Sequence, residues 1–224
     1  MGIGESLMVF AEIVLINLLL SGDNAIVIAM AARRLPPDKR QSAVWWGTLA
    51  AVVLRCGLTL AAVKLLGIPF MQTAGALLLF AIALKLMLDN HGGAEIERRS
   101  AKNTLIGAVW TIVAADFVMS LDNVLAIAAI ARGDAVLLFI GIAMSIPIMI
   151  WGSSFIMRML DRLPFLVYIG GALLAYAAGD MLMKDPAWAR RLPQAADQFT
   201  HAAPYAAAAL LISCALWLKR RRRA

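Results

Sequence analysis

Two acidic dipeptides interrupt apolar stretches of this chain. Asp23-Asn24 lies in Leu20-Ser21-Gly22-Asp23-Asn24-Ala25, and Asp122-Asn123 lies in Met119-Ser120-Leu121-Asp122-Asn123-Val124, 99 positions later. A carboxylate in hydrocarbon costs a few kcal/mol or more, so it persists where a partner or a task holds it. The polar residues around the two pairs are rich in oxygen: Asn17, Ser21, Asp116 and Ser120, with Glu12 and Asp180 further out. No histidine or cysteine joins them. Carboxylate and amide oxygens suit hard divalent cations such as Mn²⁺, Mg²⁺ or Ca²⁺, whereas Zn²⁺ and Cu⁺ usually recruit imidazole or thiolate. Carboxylates that face one another need a cation or a proton between them. The two dipeptides therefore read as halves of one intramembrane ion site, from which proton exchange could drive release.

The elements that must position this site are helices in a bilayer. The chain is 62% hydrophobic and 16% charged over 224 residues, well outside the range of soluble domains. This leaves no room for a soluble catalytic domain. Seven apolar segments can be drawn, at 7–32, 43–66, 70–88, 104–131, 135–157, 165–183 and 202–218, each near the length that crosses a hydrocarbon core. The net charge of +7 could suggest nucleic acid, but the basic residues cluster at segment ends. Fourteen of them (Arg33, Arg34, Lys39, Arg40, Arg98, Arg99, Lys102, Arg158, Arg162, Lys219 and Arg220 to Arg223) fall on one side and five on the other. By the positive-inside rule the N-terminus is outside and the C-terminus cytoplasmic. The N-terminus carries Glu5 and no basic run, so the first apolar segment reads as a retained helix. Cys56 and Cys214 lie within apolar segments and read as packing residues.

The repeat extends beyond the acidic pairs. Sliding Glu12 to Arg33 onto Thr111 to Arg132 matches nine identities, from Ile13 and Val14 through Ser21, Asp23 and Asn24 to Arg33, and sets Asn17 on Asp116. Pro69-Phe70 and Gly75 correspond to Pro164-Phe165 and Gly170. The expected fold is all-α and polytopic: an inverted repeat of three plus three helices, with a seventh helix at the C-terminus. The units are 1–89 and 104–184, joined by a cytoplasmic linker at 90–103 and followed by 185–224, which holds an external loop, the last helix and a basic tail. An odd number of spans inserts the second unit upside down, a transporter design with the binding site near the midplane. Asp23 precedes Arg33 by ten residues, as Asp122 precedes Arg132, which sets each about 15 Å from its flanking arginine. Both aspartates would thus reach the middle of the membrane from opposite directions.

Helical spacing places Asp116, Ser120 and Asn123 on one face, as it does Asn17, Ser21 and Asn24. Asp23 and Asp122 then serve a second face, or the Ser-Gly-Asp-Asn turn unwinds and offers carbonyls to the ion. Arg55, mid-span in the second helix, is expected to neutralise one carboxylate or to be structural. Lys85 and Asp180 fall at equivalent repeat positions and read as an ion pair or proton relay, with a snorkelling lysine as the plain alternative. Glu12 is an access-path ligand or an interfacial charge. A structural interhelical lock is the plain alternative for the Asp-Asn pairs. The basic tail is expected to touch anionic lipid.

At the paired motifs, together with Asp116 to Val124 and the three-helix repeat, the chain resembles the TerC family of integral membrane proteins, in particular a short branch of it. That resemblance covers the first six helices and implies Mn²⁺ efflux across a bacterial cytoplasmic membrane, with older associations to tellurite resistance. On the resemblance, Asp23, Asn24, Asp116, Asp122 and Asn123 become candidate ligands of Mn²⁺ as bound substrate, with Ca²⁺ or Mg²⁺ as alternatives. No enzyme activity is expected, and the partners are a divalent ion and the bilayer, with self-association open. Two other readings compete. One is a membrane-protein assembly or insertion factor without transport. The other is an intramembrane aspartyl protease, which is disfavoured because each aspartate is followed by asparagine inside an inverted repeat, whereas acid–base work needs an unblocked pair sharing a proton.

Overall fold

A computed structural model of the chain describes residues 22–66, 68, 70–89, 104–130, 135–185, 187 and 196–221, with side chains left aside at 60–66, 89, 121–130, 135–138, 140–141, 196–200 and 220. The described residues are helical. We number the helices α1 (Gly22–Ala32), α2 (Pro37–Leu66), α3 (Met71–Asp89), α4 (Leu105–Ile130), α5 (Ala135–Arg162), α6 (Leu166–Met183) and α7 (Ala196–Arg221). Among them five stretches are long and apolar enough to cross a membrane, namely Pro37–Thr59, Met71–Leu88, Ile142–Arg162, Leu166–Met183 and His201–Lys219. The apolar stretches Gly22–Ala32 and Leu105–Ser120 are shorter.

Several helices run past the apolar segments. α2 begins at Pro37, with Asp38 in its first turn: proline suits a first helical position and an acid there faces the helix dipole favourably. α5 continues to Arg162 and keeps Pro147 inside it, while α7 starts at Ala196. These extensions are polar turns, which hydropathy cannot detect but which helical hydrogen bonding readily prolongs. α4 is one continuous helix through Leu121 to Asn123. The expected unwinding is thus absent in the second copy, because a leucine in place of Gly22 gives no conformational licence and membrane helices satisfy their backbone internally. In the first copy, Gly22 to Asn24 are also helical.

One end of the bundle gathers the C-termini of α1, α5 and α7 with the N-termini of α2 and α6. Arg33 Nε donates to Asp161 Oδ1 at 2.8 Å and Arg40 Nη1 to Asp161 Oδ2 at 3.2 Å. Lys219 Nζ reaches the Tyr168 hydroxyl at 3.2 Å. At the opposite end, Asp185, just beyond α6, is buried and caps the start of α3. Its Oδ2 accepts from the Thr73 N–H at 2.9 Å and the Thr73 hydroxyl at 2.8 Å, and its Oδ1 from the Ala187 N–H at 2.9 Å. Phe70, in the turn before α3, has φ 62, a left-handed conformation that costs about 1 kcal/mol or more for a residue with a side chain. The same carboxylate also takes a backbone hydrogen bond from Phe70.

Helix packing uses close approach. α2 lies against α4, α3 against α6, α6 against α7, and α1 against α5 and α4. A Cβ at Gly47 would come within 2.5 Å of Ile112 Cδ1, and one at Gly179 within 2.7 Å of Pro204 Cα and 2.8 Å of the Ala203 carbonyl oxygen. Small residues of this kind let membrane helices pack without a hydrophobic driving force. The outer surface carries Trp110, Trp151, Phe155, Leu77 and Val53 in exposed positions, as a lipid-facing exterior requires. Cys56 and Cys214 are half-buried and free.

Two outcomes follow from this packing. Gly179→Ala forces a methyl against the α7 backbone, and overpacking of this kind costs about 1–3 kcal/mol; its detergent melting temperature should fall by several degrees. Gly57→Ala, with no atom within 4 Å of the added methyl, should melt no lower than the parent. Burial of Asp185 favours its neutral acid, yet the donors from Ala187, Thr73 and Phe70 outweigh this and hold the carboxyl below the usual carboxylate range. Its stabilisation is therefore present above the unfolded value near ~4 and is lost as pH falls through the lower folded value. Asp185→Asn should melt lower than the parent at pH 7, by about 1 kcal/mol of stability, with the gap closing on acidification below that window.

Candidate ion site between α1, α2 and α4

α1 supplies Asp23 and Asn24, α2 supplies Arg55, and α4 supplies Asp116 and Ser120, four residues apart and hence on one face. Arg55 lies 18 residues after Pro37, about 27 Å along α2 at 1.5 Å per residue. It is fully buried, and Asp116 and Ser120 are buried with it. Its Nη2 is salt-bridged to Asp116 Oδ1, and its Nε donates to Ser120 Oγ at 2.9 Å. The Ser120 hydroxyl donates in turn to Asp116 Oδ2 at 3.1 Å. Arg55 Nη1 is buried without a hydrogen-bond acceptor among the described residues.

Asp23 Oδ1 accepts from the Asn24 N–H at 2.8 Å. The Asp23 carboxylate lies within electrostatic reach of both Arg55 and Asp116. Asn24 and Asp116 border the same small gap, closed by Val27, Ile28 and Ile112 and too narrow to admit a water. Two carboxylates, an amide and a hydroxyl are thus gathered in one region from α1 and α4, with the α2 guanidinium paired to one of the carboxylates. Among the described residues no three carboxylate, imidazole or thiol side chains converge as a metal cluster.

The chain carries a family signature over nearly its whole length, with residues 3–223 matching the integral membrane protein TerC family. The chain belongs to the TerC family. Its relatives include the uncharacterized membrane protein YjbE of Bacillus subtilis (strain 168), 46% identical over 173 residues, which are 77% of this chain and 78% of that protein. The uncharacterized membrane protein YkoY of the same strain is 30% identical over 53% of this chain and 38% of its own length. A third, YceF, is 26% identical over 68% of this chain and 62% of its own. No solved structure matches the chain. As a TerC protein with bacterial membrane relatives, it is an integral membrane protein with several apolar helices.

In this TerC chain the expected site residues have different fates. Asp23, Asn24 and Asp116 come together, and Ser120 and Arg55, expected at the periphery, hold the centre. Asp122 and Asn123 lie on α4, but their side chains are outside the described residues, as are Glu12, Asn17 and Ser21 altogether. Lys85 and Asp180 do not pair. Asp180 is salt-bridged to Lys184 on its own helix, while Lys85 lines a cavity of about 170 Å³ with Arg34, Thr104 and Thr111. The two positions lie toward opposite ends of antiparallel helices, so their equivalence in the repeat separates them across the bundle.

Asp161 and Asp185 escaped the sequence reading. Asp161 is flanked by Arg158 and Arg162, and Asp185 follows Lys184, so both resemble ordinary loop charges. A lone acid inside a basic cluster was the available signal for the first.

The buried pair generates a test that requires no transport assay. Asp116→Ala or Arg55→Ala each strands a buried charge and should cost about 3–5 kcal/mol. Arg55→Leu with Asp116→Leu should recover most of that loss. Unfolding of purified protein in a double-mutant cycle measures the coupling.

Proposed function

We propose that this protein is a transporter for a hard divalent cation, with Mn²⁺ as its cargo, working by alternating access around the Asp23–Asn24–Asp116 site. The observation that carries this reading is a buried Asp116 with a half-buried Asp23 nearby, delivered from different helices with amide and hydroxyl neighbours to the inside of a membrane bundle. Charged groups at this depth mark ion or substrate pathways. Oxygen donors of this kind select hard cations, and no thiol or imidazole offers a softer site among the described residues.

An inverted repeat of 1–89 and 104–184 agrees with the packing. Exchanging α1 with α4, α2 with α5 and α3 with α6 converts the α2–α4 contact into the α5–α1 contact. The same exchange leaves the α1–α4, α2–α5 and α3–α6 contacts on themselves. A pseudo-two-fold in the membrane plane produces that pattern, and such folds bind at the axis. Asp122 and Asn123 complete the ligand set in this reading. Mn²⁺ and outward direction, from a cytoplasmic side at the arginine-rich end, come from the family resemblance and the positive-inside distribution.

The test is flux. Purified protein in liposomes should move Mn²⁺, measured across a panel with Ca²⁺ and Mg²⁺ and with or without a pH gradient. Asp23→Ala should lower the rate at least about tenfold, equivalent to 1.4 kcal/mol. Inserted protein that moves no divalent ion under any gradient would refute transport and favour an assembly role.

A further inference from the structure

Resting on the transport reading, we infer that Arg55 is a tethered counter-cation: its guanidinium and the divalent ion occupy Asp116 in turn, so the carrier can reorient empty without a second ion. Both Asp116 oxygens are engaged, Oδ1 by Arg55 and Oδ2 by Ser120. A divalent cation cannot ligate Asp116 through Oδ1 while Arg55 holds it. Nor can it sit beside the guanidinium, because like charges repel strongly where no water intervenes.

The contact is also incomplete in a way that a permanent lock is not. A guanidinium carries five donors, and a structural buried arginine is held by a full set of acceptors. Here Nη2 and Nε are used, while Nη1 is buried with no acceptor among the described residues. The backbone around Arg55 has room to yield. Gly57 has no neighbour within 4 Å of where its Cβ would be, and the Thr59 hydroxyl bonds back to the Arg55 carbonyl at 2.8 Å, a contact that bends helices. The gap beside Asp116 admits no water, so an ion enters only if something there moves, and the arginine is the long, half-anchored group.

Charge balance points the same way. Counted over Asp23 and Asp116, the empty site with Arg55 in place carries one net negative charge, and the ion-loaded site with Arg55 withdrawn is neutral. Without the arginine, an empty site would return with two carboxylates in low dielectric that only bound protons could neutralise.

The experiment compares the parent with Arg55→Gln and Arg55→Lys in detergent and in liposomes, using Mn²⁺ as the probe. Binding is read from the electron paramagnetic resonance signal of free Mn²⁺. Transport is read twice, as net efflux into ion-free buffer and as exchange with Mn²⁺ on both sides. In Arg55→Gln, Mn²⁺ should bind about tenfold tighter or more, and the ratio of exchange to net efflux should rise at least about tenfold. Arg55→Lys, which keeps a cation without the fork, should restore part of the net efflux. A monodisperse Arg55→Gln protein with the parent's affinity and ratio, or one that loses Mn²⁺ binding, would overturn the counter-cation while leaving transport standing. A parent that neither binds nor moves Mn²⁺ would overturn the transport reading and this inference together.

Discussion

A charge buried in hydrocarbon must be compensated where it sits, and the Arg55–Asp116 pair imposes that requirement on the rest of the bundle. Desolvating both groups costs several kcal/mol each, which their attraction offsets only with good geometry and further hydrogen bonds. Ser120 supplies those bonds to both partners. For it to do so, α2 and α4 must approach closely at a fixed register. The close fit of Gly47 on Ile112 and the buried Ala51 and Ala115 along the same helices allow that approach. α1 then brings a second carboxylate to the same depth. The apolar shell of Val27, Ile28 and Ile112 keeps water from relieving the cost.

The ends of the bundle are tied differently. Each is held by one acid from the second half of the chain reaching into the first. Asp161, at the end of α5, joins Arg33, just past α1, and Arg40, near the start of α2. Asp185, beyond α6, holds the first turn of α3 and the left-handed Phe70. These contacts are partly solvated or capping, so each is modest beside the central pair. A bundle pinned strongly at mid-depth and weakly at both faces can open either face without losing its register. That distribution of strength is what alternating access around a fixed central site needs.

Much of this was legible in the chain because low dielectric makes polar residues conspicuous. Asp23, Asp116 and Arg55 stand out in apolar runs. Segment cores were equally readable, whereas their ends were not: Pro37 to Arg40, Met159 to Arg162 and Ala196 to His201 are helical but lie outside the apolar segments drawn from the sequence. The pairing of Lys85 with Asp180 failed for a geometric reason. Both residues lie near the C-terminal ends of their helices, and those helices run antiparallel, so the two side chains stand toward opposite ends of the bundle. Asp161 and Asp185 were invisible because their partners lie 128 and 112 positions away, a proximity that only the folded topology creates.

The same logic separates a site from a scaffold at the centre. A lock evolved only for stability gains most when every donor finds an acceptor, or when the pair is replaced by packed hydrocarbon. Arg55 does neither, since one nitrogen is buried with no acceptor among the described residues while the charge of a second carboxylate, Asp23, is felt from α1. Retaining such a group sacrifices stability, which fits the proposed exchange of the guanidinium for an ion at Asp116. Ser120 bridges the pair, accepting from the Arg55 Nε and donating to Asp116 Oδ2. The spacing of Asp116 and Ser120, one helical turn apart, is therefore as much a part of the site as the carboxylates themselves.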